Sequence, residues 1–250
     1  MSQQKRIGIL TAGGDAPGLN AVIRGAVKTA LRHGYEVVGF LRGFEGLIDP
    51  VSYMTLDYKA TSGILSQGGT ILGTANRGRF ACKVGADQRV SLDPELIRGV
   101  KQTCEQLNLS GLICIGGDGS LTIAEQLFEA AAIPVVGVPK TIDNDLRATA
   151  FTFGFDSAVS FVTDALDRLH TTAASHDRIF VLEVMGRHAG WIALYGGMAG
   201  GGDVILLPEI PWTFENVCQK IAHRDQAGKR FTLVVVAEGA ELPSGEQVTA

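Results

Sequence analysis

Three turns, two glycine-rich and one acidic, each lie where an apolar run gives way to helical spacing, and they constrain this chain most. They read Gly13-Gly14-Asp15-Ala16-Pro17-Gly18, Gly116-Gly117-Asp118-Gly119-Ser120 and Pro139-Lys140-Thr141-Ile142-Asp143-Asn144-Asp145. A strand that runs into a helix and then into another strand builds a parallel sheet, because parallel neighbours need a crossover. Glycine lets a ligand come close to the backbone, and the amide N–H groups opening the next helix point at it. The first two turns add a carboxylate to bare backbone, which suits a phosphate chain and its magnesium. The third adds two carboxylates and a lysine, the groups that phosphoryl transfer to an alcohol requires.

The rest of the chain repeats the pattern. Apolar runs predict strands at residues 7–11, 36–40, 112–115, 134–138, 179–184, 204–207 and 231–237. Helical spacing predicts helices at 19–33, 94–107, 121–131, 155–169, 190–199 and 214–227, with a short one opening at 61–65. Gly34 and Gly228 stand where helices stop, and Asp93-Pro94 gives an N-cap followed by a proline at the first helical position. The expected fold is α/β: two Rossmann-like α/β/α lobes with mainly parallel sheets, 1–154 and 155–250.

Composition excludes several classes. The chain has 250 residues, 46% hydrophobic and 19% charged, which is the balance of a packed globular protein. A net charge of −4 argues against nucleic acid as a partner, and no apolar run is long enough for a membrane helix. Cys82, Cys104, Cys114 and Cys218 form no Cys-x-x-Cys pair, so reduced thiols in a cytoplasmic protein are expected. The N-terminus leads straight into a strand pattern without a signal-peptide core. No histidine pair has the spacing of a helical zinc site.

Each candidate site has a plainer alternative. Gly13 to Gly18 is equally a tight strand-to-helix turn. In the second turn Asp118 is placed to hold magnesium, and Ser120 to cap the helix and touch phosphate; as an ordinary N-cap it would do only the first. That turn is neither Gly-x-x-x-x-Gly-Lys-Ser/Thr nor Gly-x-Gly-x-x-Gly. Asp143 and Asp145 would form an Asx turn in the plain reading. At the carboxyl end of a parallel strand beside Lys140 and Thr141, they stand where open sheets bind ligands, and a base there would take a hydroxyl proton. Arg187, after Met185-Gly186, is either a surface ion-pair partner or a group for transition-state charge. Glu238 ends the last strand, where it is solvated or accepts sugar hydroxyls.

Taken together, these residues resemble the 6-phosphofructokinase family. The resemblance runs along essentially the whole chain, through Gly13 to Asn20, Gly116 to Ser120, Pro139 to Asp145, Ser175-His176-Asp177-Arg178, Glu183-Val184-Met185-Gly186-Arg187 and Pro208-Glu209. It implies phosphoryl transfer to the 1-hydroxyl of fructose 6-phosphate, in glycolysis. Asp143 corresponds to the general base, with Thr141 and Asp145 supporting it, Arg187 to a transition-state stabiliser, and Gly14 to a further catalytic position. Gly13, Gly14, Arg77, Gly117, Asp118, Gly119, Ser120 and Lys140 correspond to the donor site, with Asp118 as the magnesium acid. Thr141, Asp143, Asp145, Arg178, Met185, Gly186, Arg187 and Glu238 correspond to the sugar-phosphate site. Arg178 is the position that reaches a neighbouring subunit's site, which implies a homo-oligomer.

The donor signature is mixed. Gly119 goes with ATP, because an aspartate there would repel the α-phosphate, whereas Lys140 is more usual in pyrophosphate enzymes; the steric argument favours ATP, with pyrophosphate as the alternative. Asn76-Arg77 departs from the family's arginine directly after the alanine, so Arg77 or Arg79 would serve the donor phosphates. At the family's effector site Arg24, Lys28 and Asp203 match, while His170 replaces an arginine. The family's Gly-His-x-Gln-Arg-Gly-Gly-like segment is not found, which points to a chain lacking the C-terminal part. A non-catalytic nucleotide-binding fragment or regulatory subunit is the reading from another class.

Overall fold

The computed structural model describes residues 5–75, 78–80, 91–147 and 149–242. The chain divides into two compact units, Met1–Thr141 and Ile142–Ala250. The first contains β1 (Arg6–Thr11), α1 (Leu19–Arg32), β2 (Glu36–Phe40), a 3-10 turn (Gly43–Leu47), β3 (Tyr53–Thr55), α2 (Pro94–Gln106), β4 (Leu109–Gly116), α3 (Asp118–Ala131) and β5 (Val135–Thr141). The second contains β6 (Phe153–Gly154), α4 (Phe155–His176), β7 (Ile179–Val184), α5 (Trp191–Ala199), β8 (Val204–Leu206), α6 (Phe214–Gln226) and β9 (Thr232–Ala237).

In the first unit the strands lie in the order β3-β2-β1-β4-β5. All neighbours are parallel except β2 and β3. Alternation along each strand feeds two cores. Ile9, Val37 and Ile115 face α1 through Leu19, Ile23 and Val27. Leu10, Val38 and Cys114 face the opposite side, with Val100 of α2 and Ile123 and Leu127 of α3. The result is a three-layer α/β/α body. The chain leaves β1 towards β2 on one side, and leaves β4 towards β5 on the other. The strand order therefore reverses between β1 and β4, and both glycine turns emerge at the carboxyl ends of those two strands. Such a reversal opens a crevice in which α/β sheets take ligands.

The second unit repeats the plan with parallel strands in the order β7-β9-β8. Leu233 and Val235 pack under α4 and α5, while Val234 and Val236 pack with Leu206, Trp212 and Val217 on the other face. Close helix packing uses glycine: a Cβ on Gly196 would lie 2.6 Å from Val162.

Four details differ from the sequence reading. Residues 61–65 are turns, not a helix. Tyr53–Thr55 is an antiparallel strand that no periodicity signals, since it pairs for only three residues. Helix α4 runs on to His176, past a polar stretch in which the fully buried Ala173 is the anchor, and ends at Asp177 in the left-handed conformation. Helix α3 begins at Asp118, three residues before the first apolar position, because the Gly117 carbonyl already accepts the Leu121 N–H at 3.0 Å. No helix of the described residues is long and apolar enough to cross a membrane.

Candidate active site

The first turn is built on left-handed glycines. Gly13 has φ +82°, and Gly18, at φ +90°, precedes α1 and accepts its first hydrogen bond from Val22 N at 3.0 Å. Only glycine adopts these angles without strain. A Cβ at Gly14 would meet nothing within 4 Å, so the turn's outer side is open to a ligand. Its inner side is held by side chains. The buried Lys140 ammonium donates to Gly14 O at 2.6 Å, and Thr74 Oγ1 donates to Gly13 O. A buried positive charge under a turn of exposed amides favours an anion on its outer side.

The second turn presents Asp118 as the exposed first residue of α3. Here Ser120 differs from expectation. It lies inside the helix, is buried, and does not cap it; Gly117 is the N-cap and carries no side chain. Ser120 instead packs against Gly116, where any Cβ would collide with it, and its Oγ lies 3.3 Å from the position a Cβ on Gly13 would take. Serine thus joins the two glycine turns from below. Gly119 sits in the same first turn, half-exposed.

The acidic loop follows β5. Thr141 is its last residue and Asp143, two residues on, is buried with 8% exposure, whereas Asp145 is exposed. Asn144 stands between them at φ +54°. Its Oδ1 accepts from Thr152 N at 3.0 Å and from Thr152 Oγ1 at 3.3 Å, while its Nδ2 donates to Ala150 O at 3.2 Å. A side chain that tolerates the left-handed region also ties the loop shut, so Asn144 fixes the backbone turn between the two aspartates.

The turn after β7 is clamped from two sides. Glu238 Oε1 accepts from Gly186 N at 3.0 Å and from Arg187 N at 2.6 Å. Glu209 Oε1 accepts from Gly190 N at 2.8 Å, at the start of α5. Gly186 has φ +143°, and a Cβ on it would collide with Ala189 O. Arg187 itself is left-handed at φ +53°, and its guanidinium is exposed. Met185 is exposed beside it. Among the described residues neither Arg187 nor Arg178 enters an ion pair. Arg178, after α4, is likewise exposed.

The fold therefore assembles Gly13, Gly14, Lys140, Gly117, Asp118, Gly119 and Ser120 at the carboxyl edge of one sheet. It assembles Met185, Gly186, Arg187 and Glu238 at that of the other. Arg77 lies outside the described residues. Of the positions expected to bind an effector, Arg24 and Lys28 are four apart on α1, and Arg24 Nε is enclosed without a hydrogen-bond partner among the described residues. Asp203 is occupied: Arg224 Nη1 lies 2.7 Å from its Oδ1, and Leu233 N donates to its Oδ2 at 3.0 Å. His170 stacks edge-on against Phe231 at 4.8 Å between ring centroids. Sequence reasoning missed Glu209 and Thr74 as clamps, since their partners are backbone groups far away in the chain.

A phosphofructokinase family profile matches residues 6–250. The chain belongs to the phosphofructokinase family. It is similar to an ATP-dependent 6-phosphofructokinase of Chloroflexus aurantiacus, at 55% identity over 247 residues, covering 99% of this chain and 68% of that protein. It is also similar to the ATP-dependent 6-phosphofructokinase 2 of Clostridium perfringens, at 49% identity over 100% of this chain and 68% of that protein. Among solved structures, a phosphofructokinase from Saccharomyces cerevisiae superposes with TM-score 0.83 at 31% identity, covering 98% of this chain and 35% of that one. A pyrophosphate-dependent phosphofructokinase from Marinobacter aquaeolei superposes with TM-score 0.79 at 26% identity, covering 95% of this chain and 61% of that one. The chain spans about two thirds of these two bacterial relatives and about a third of the yeast chain.

Among the described residues no group of three or more His, Cys, Asp or Glu is arranged to hold a metal. Magnesium carried by a nucleotide takes one or two protein carboxylates and completes its shell with phosphates and water. Asp118, exposed beside the glycine turn, is the carboxylate suited to it.

Proposed function

We propose that this chain transfers the terminal phosphoryl group of ATP to the 1-hydroxyl of fructose 6-phosphate, giving fructose 1,6-bisphosphate and ADP in glycolysis. The observation that carries the reading is the Lys140 ammonium beneath the open Gly13-Gly14 turn, donating to Gly14 O at 2.6 Å at the β1/β4 reversal. It supports an anion-binding turn, and a nucleotide triphosphate is the anion that the names of the relatives at 49–55% identity supply.

In this reading residues 1–154 take the donor and residues 155–250 the sugar phosphate. The amides of Gly13, Gly14, Gly117 and Gly119 and the Ser120 hydroxyl receive the phosphates, with Lys140 and Arg77 neutralising their charge. Asp118 holds magnesium, which when bound neutralises the charge gathering on the transferring phosphates. Asp143 takes the proton of the 1-hydroxyl as its oxygen forms the bond to the γ-phosphorus and the bond to ADP breaks. Thr141 and Asp145 orient that base. Arg187 offsets the charge on the equatorial oxygens. Met185, Gly186 and Glu238 meet the sugar, and Arg178 reaches the site of a second copy in a cytoplasmic homo-oligomer.

ATP is favoured over pyrophosphate because Gly119 leaves room at the α-phosphate. The pyrophosphate-dependent structure is also the more distant likeness, at 26% identity. The test is formation of fructose 1,6-bisphosphate by the purified chain, with ATP and pyrophosphate supplied separately. Product with ATP alone is expected. Product with pyrophosphate alone would reverse the donor, and ATP binding without product would leave a nucleotide-binding protein that lacks turnover.

A further inference from the structure

Asn20 is the second residue of α1, and it is 1% exposed. A buried amide must have its hydrogen bonds met inside the protein. All those of Asn20 go to one distant segment: its Nδ2 donates to Gln67 O at 3.1 Å and to Gly68 O at 3.3 Å, and its Oδ1 accepts from Ile71 N at 2.8 Å. The same segment is fastened at two further points. Thr11 Oγ1, at the end of β1, lies 2.9 Å from Thr70 Oγ1 and donates to Gly73 O at 2.9 Å. Thr74 Oγ1 then donates to Gly13 O in the first glycine turn. Leu72 anchors the segment in the core that also holds Leu19 and Ile23 of α1.

We propose that Asn20 is a positioning residue for the phosphoryl donor: it fixes residues 67–74 as a second wall beside the Gly13-Gly14 turn. This rests on the reading that the turn receives the donor's phosphates. Asn20 does not itself face the donor. It is two residues beyond the turn, on the helix the turn leads into, and it sets the path of a chain segment that returns to the turn through Thr74. One buried side chain thereby couples the two strips of backbone that a polyphosphate would meet. Loop backbone otherwise moves freely, and a misplaced wall weakens donor binding without altering the acceptor site.

The test compares Asn20→Ala and Asn20→Asp with the wild-type chain and with Val100→Ala. The last is a buried substitution in the core on the opposite face of the sheet from Leu72. Two readouts are taken: amide hydrogen exchange of residues 67–74 without ligand, and KM for ATP against KM for fructose 6-phosphate. For Asn20→Ala, exchange at Ile71 is expected to rise about tenfold and KM for ATP about tenfold, with KM for fructose 6-phosphate within about twofold. Asn20→Asp keeps the acceptor for Ile71 N, so it shows the same split at smaller size and decides the matter if the alanine variant does not fold. Val100→Ala is expected to lower stability and leave both KM values in place. Unchanged exchange in 67–74, or a rise in both KM values together, would overturn the proposal. If the wild type binds ATP without turnover, ATP affinity replaces KM, and equal affinity of wild type and Asn20→Ala overturns this inference alone. A wild type that neither binds ATP nor transfers phosphate overturns the functional reading, and this inference with it.

Discussion

Glu238 holds Arg187 by its backbone: Oε1 of the carboxylate accepts the Arg187 N–H at 2.6 Å and the neighbouring Gly186 N–H at 3.0 Å. The bonds keep Arg187 at φ +53°, a conformation that costs an ordinary residue about 1 kcal/mol or more. Bonds to a charged acceptor contribute about 1.5–3 kcal/mol each, so two of them outweigh the strain. Among the described residues Oε2 has no hydrogen-bond partner, and in the proposed function it is the oxygen that meets a sugar hydroxyl. The two roles separate by substitution. Glu238→Ala removes both and is expected to lower kcat about 10–100-fold, as loss of a placed transition-state group does. Glu238→Gln keeps a neutral acceptor for the turn, so kcat is expected to hold within about tenfold while KM for fructose 6-phosphate rises. Steady-state kinetics on both variants checks this, and a normal kcat in Glu238→Ala would remove the clamp from the mechanism.

Asp143 is buried at the end of the β5 strand–loop junction, while Asp145 is exposed. A base that must sit dry beside a reacting hydroxyl is better served by the first. Asp143→Asn preserves shape and removes the proton acceptor, so turnover is expected to fall at least about a hundredfold. The thermal midpoint should stay near that of the wild type. Near-normal turnover would remove Asp143 as base.

How much of this was legible in the sequence follows from range. Gly13, Gly18, Gly34 and Gly228 all take positive φ where a turn or helix stop was read from them. Those readings rest on local sterics, which a sequence carries openly. The three-layer arrangement was equally readable, because alternation at Ile9 and Leu10 or at Val37 and Val38 feeds two cores. What stayed hidden depends on distant partners. Glu238 looked like a sugar contact, yet one of its oxygens serves a turn 51–52 residues away. Ser120 looked like an N-cap, and helix α3 starting at Asp118 turned it into a buried link instead. The segment 67–74 gave no periodic signal, because its order comes from the side chains of Asn20 and Thr11 and not from its own pattern.

Asn144 sets the turn between the two aspartates, and its contributions separate cleanly. It supplies three hydrogen bonds across the loop and relieves strain at φ +54°. Asn144→Gly keeps the conformation and loses the bonds, which should destabilise by about 1–2 kcal/mol. Asn144→Ala loses the bonds and adds left-handed strain of about 1 kcal/mol, so it should be the worse of the two. Denaturant unfolding of both variants gives the order. An alanine variant at least as stable as the glycine one would contradict the assigned conformation.

Gly119 lies in the first turn of α3, directly after the exposed Asp118. An aspartate there would place two carboxylates side by side at the point proposed to receive the nucleotide. Helix N-termini favour negative side chains by about 0.3–1 kcal/mol, so Gly119→Asp should fold as well as the wild type. Its ATP turnover is expected to fall below detection through repulsion of the α-phosphate. Calorimetric melting together with an ATP assay checks both halves, and full ATP turnover in this variant would sink the steric argument for the donor.

The thiols give a chemical and a pH prediction. Burial pushes the Cys114 thiol up to about 12, and burial with the adjacent Glu105 carboxylate pushes Cys104 up to about 11, from an ordinary 9.0. Both are free, as is the exposed Cys218. Because the thiolate is the reactive form, Cys218 should take up a maleimide in the native protein while Cys104 and Cys114 react only on unfolding. Peptide mapping of the labelled chain tells them apart from Cys82, which lies outside the described residues. The sign of the pH effect follows from the raised values. Below pH 9.0 both states keep these protons and stability is unaffected; above it the unfolded chain ionises first, so it binds fewer protons and the fold loses stability as pH rises towards 11 and 12. Replacing Cys114 by alanine should therefore flatten the alkaline limb of a stability–pH curve measured by urea unfolding. An unchanged alkaline slope in that variant would mean that Cys114 is not the group being held neutral.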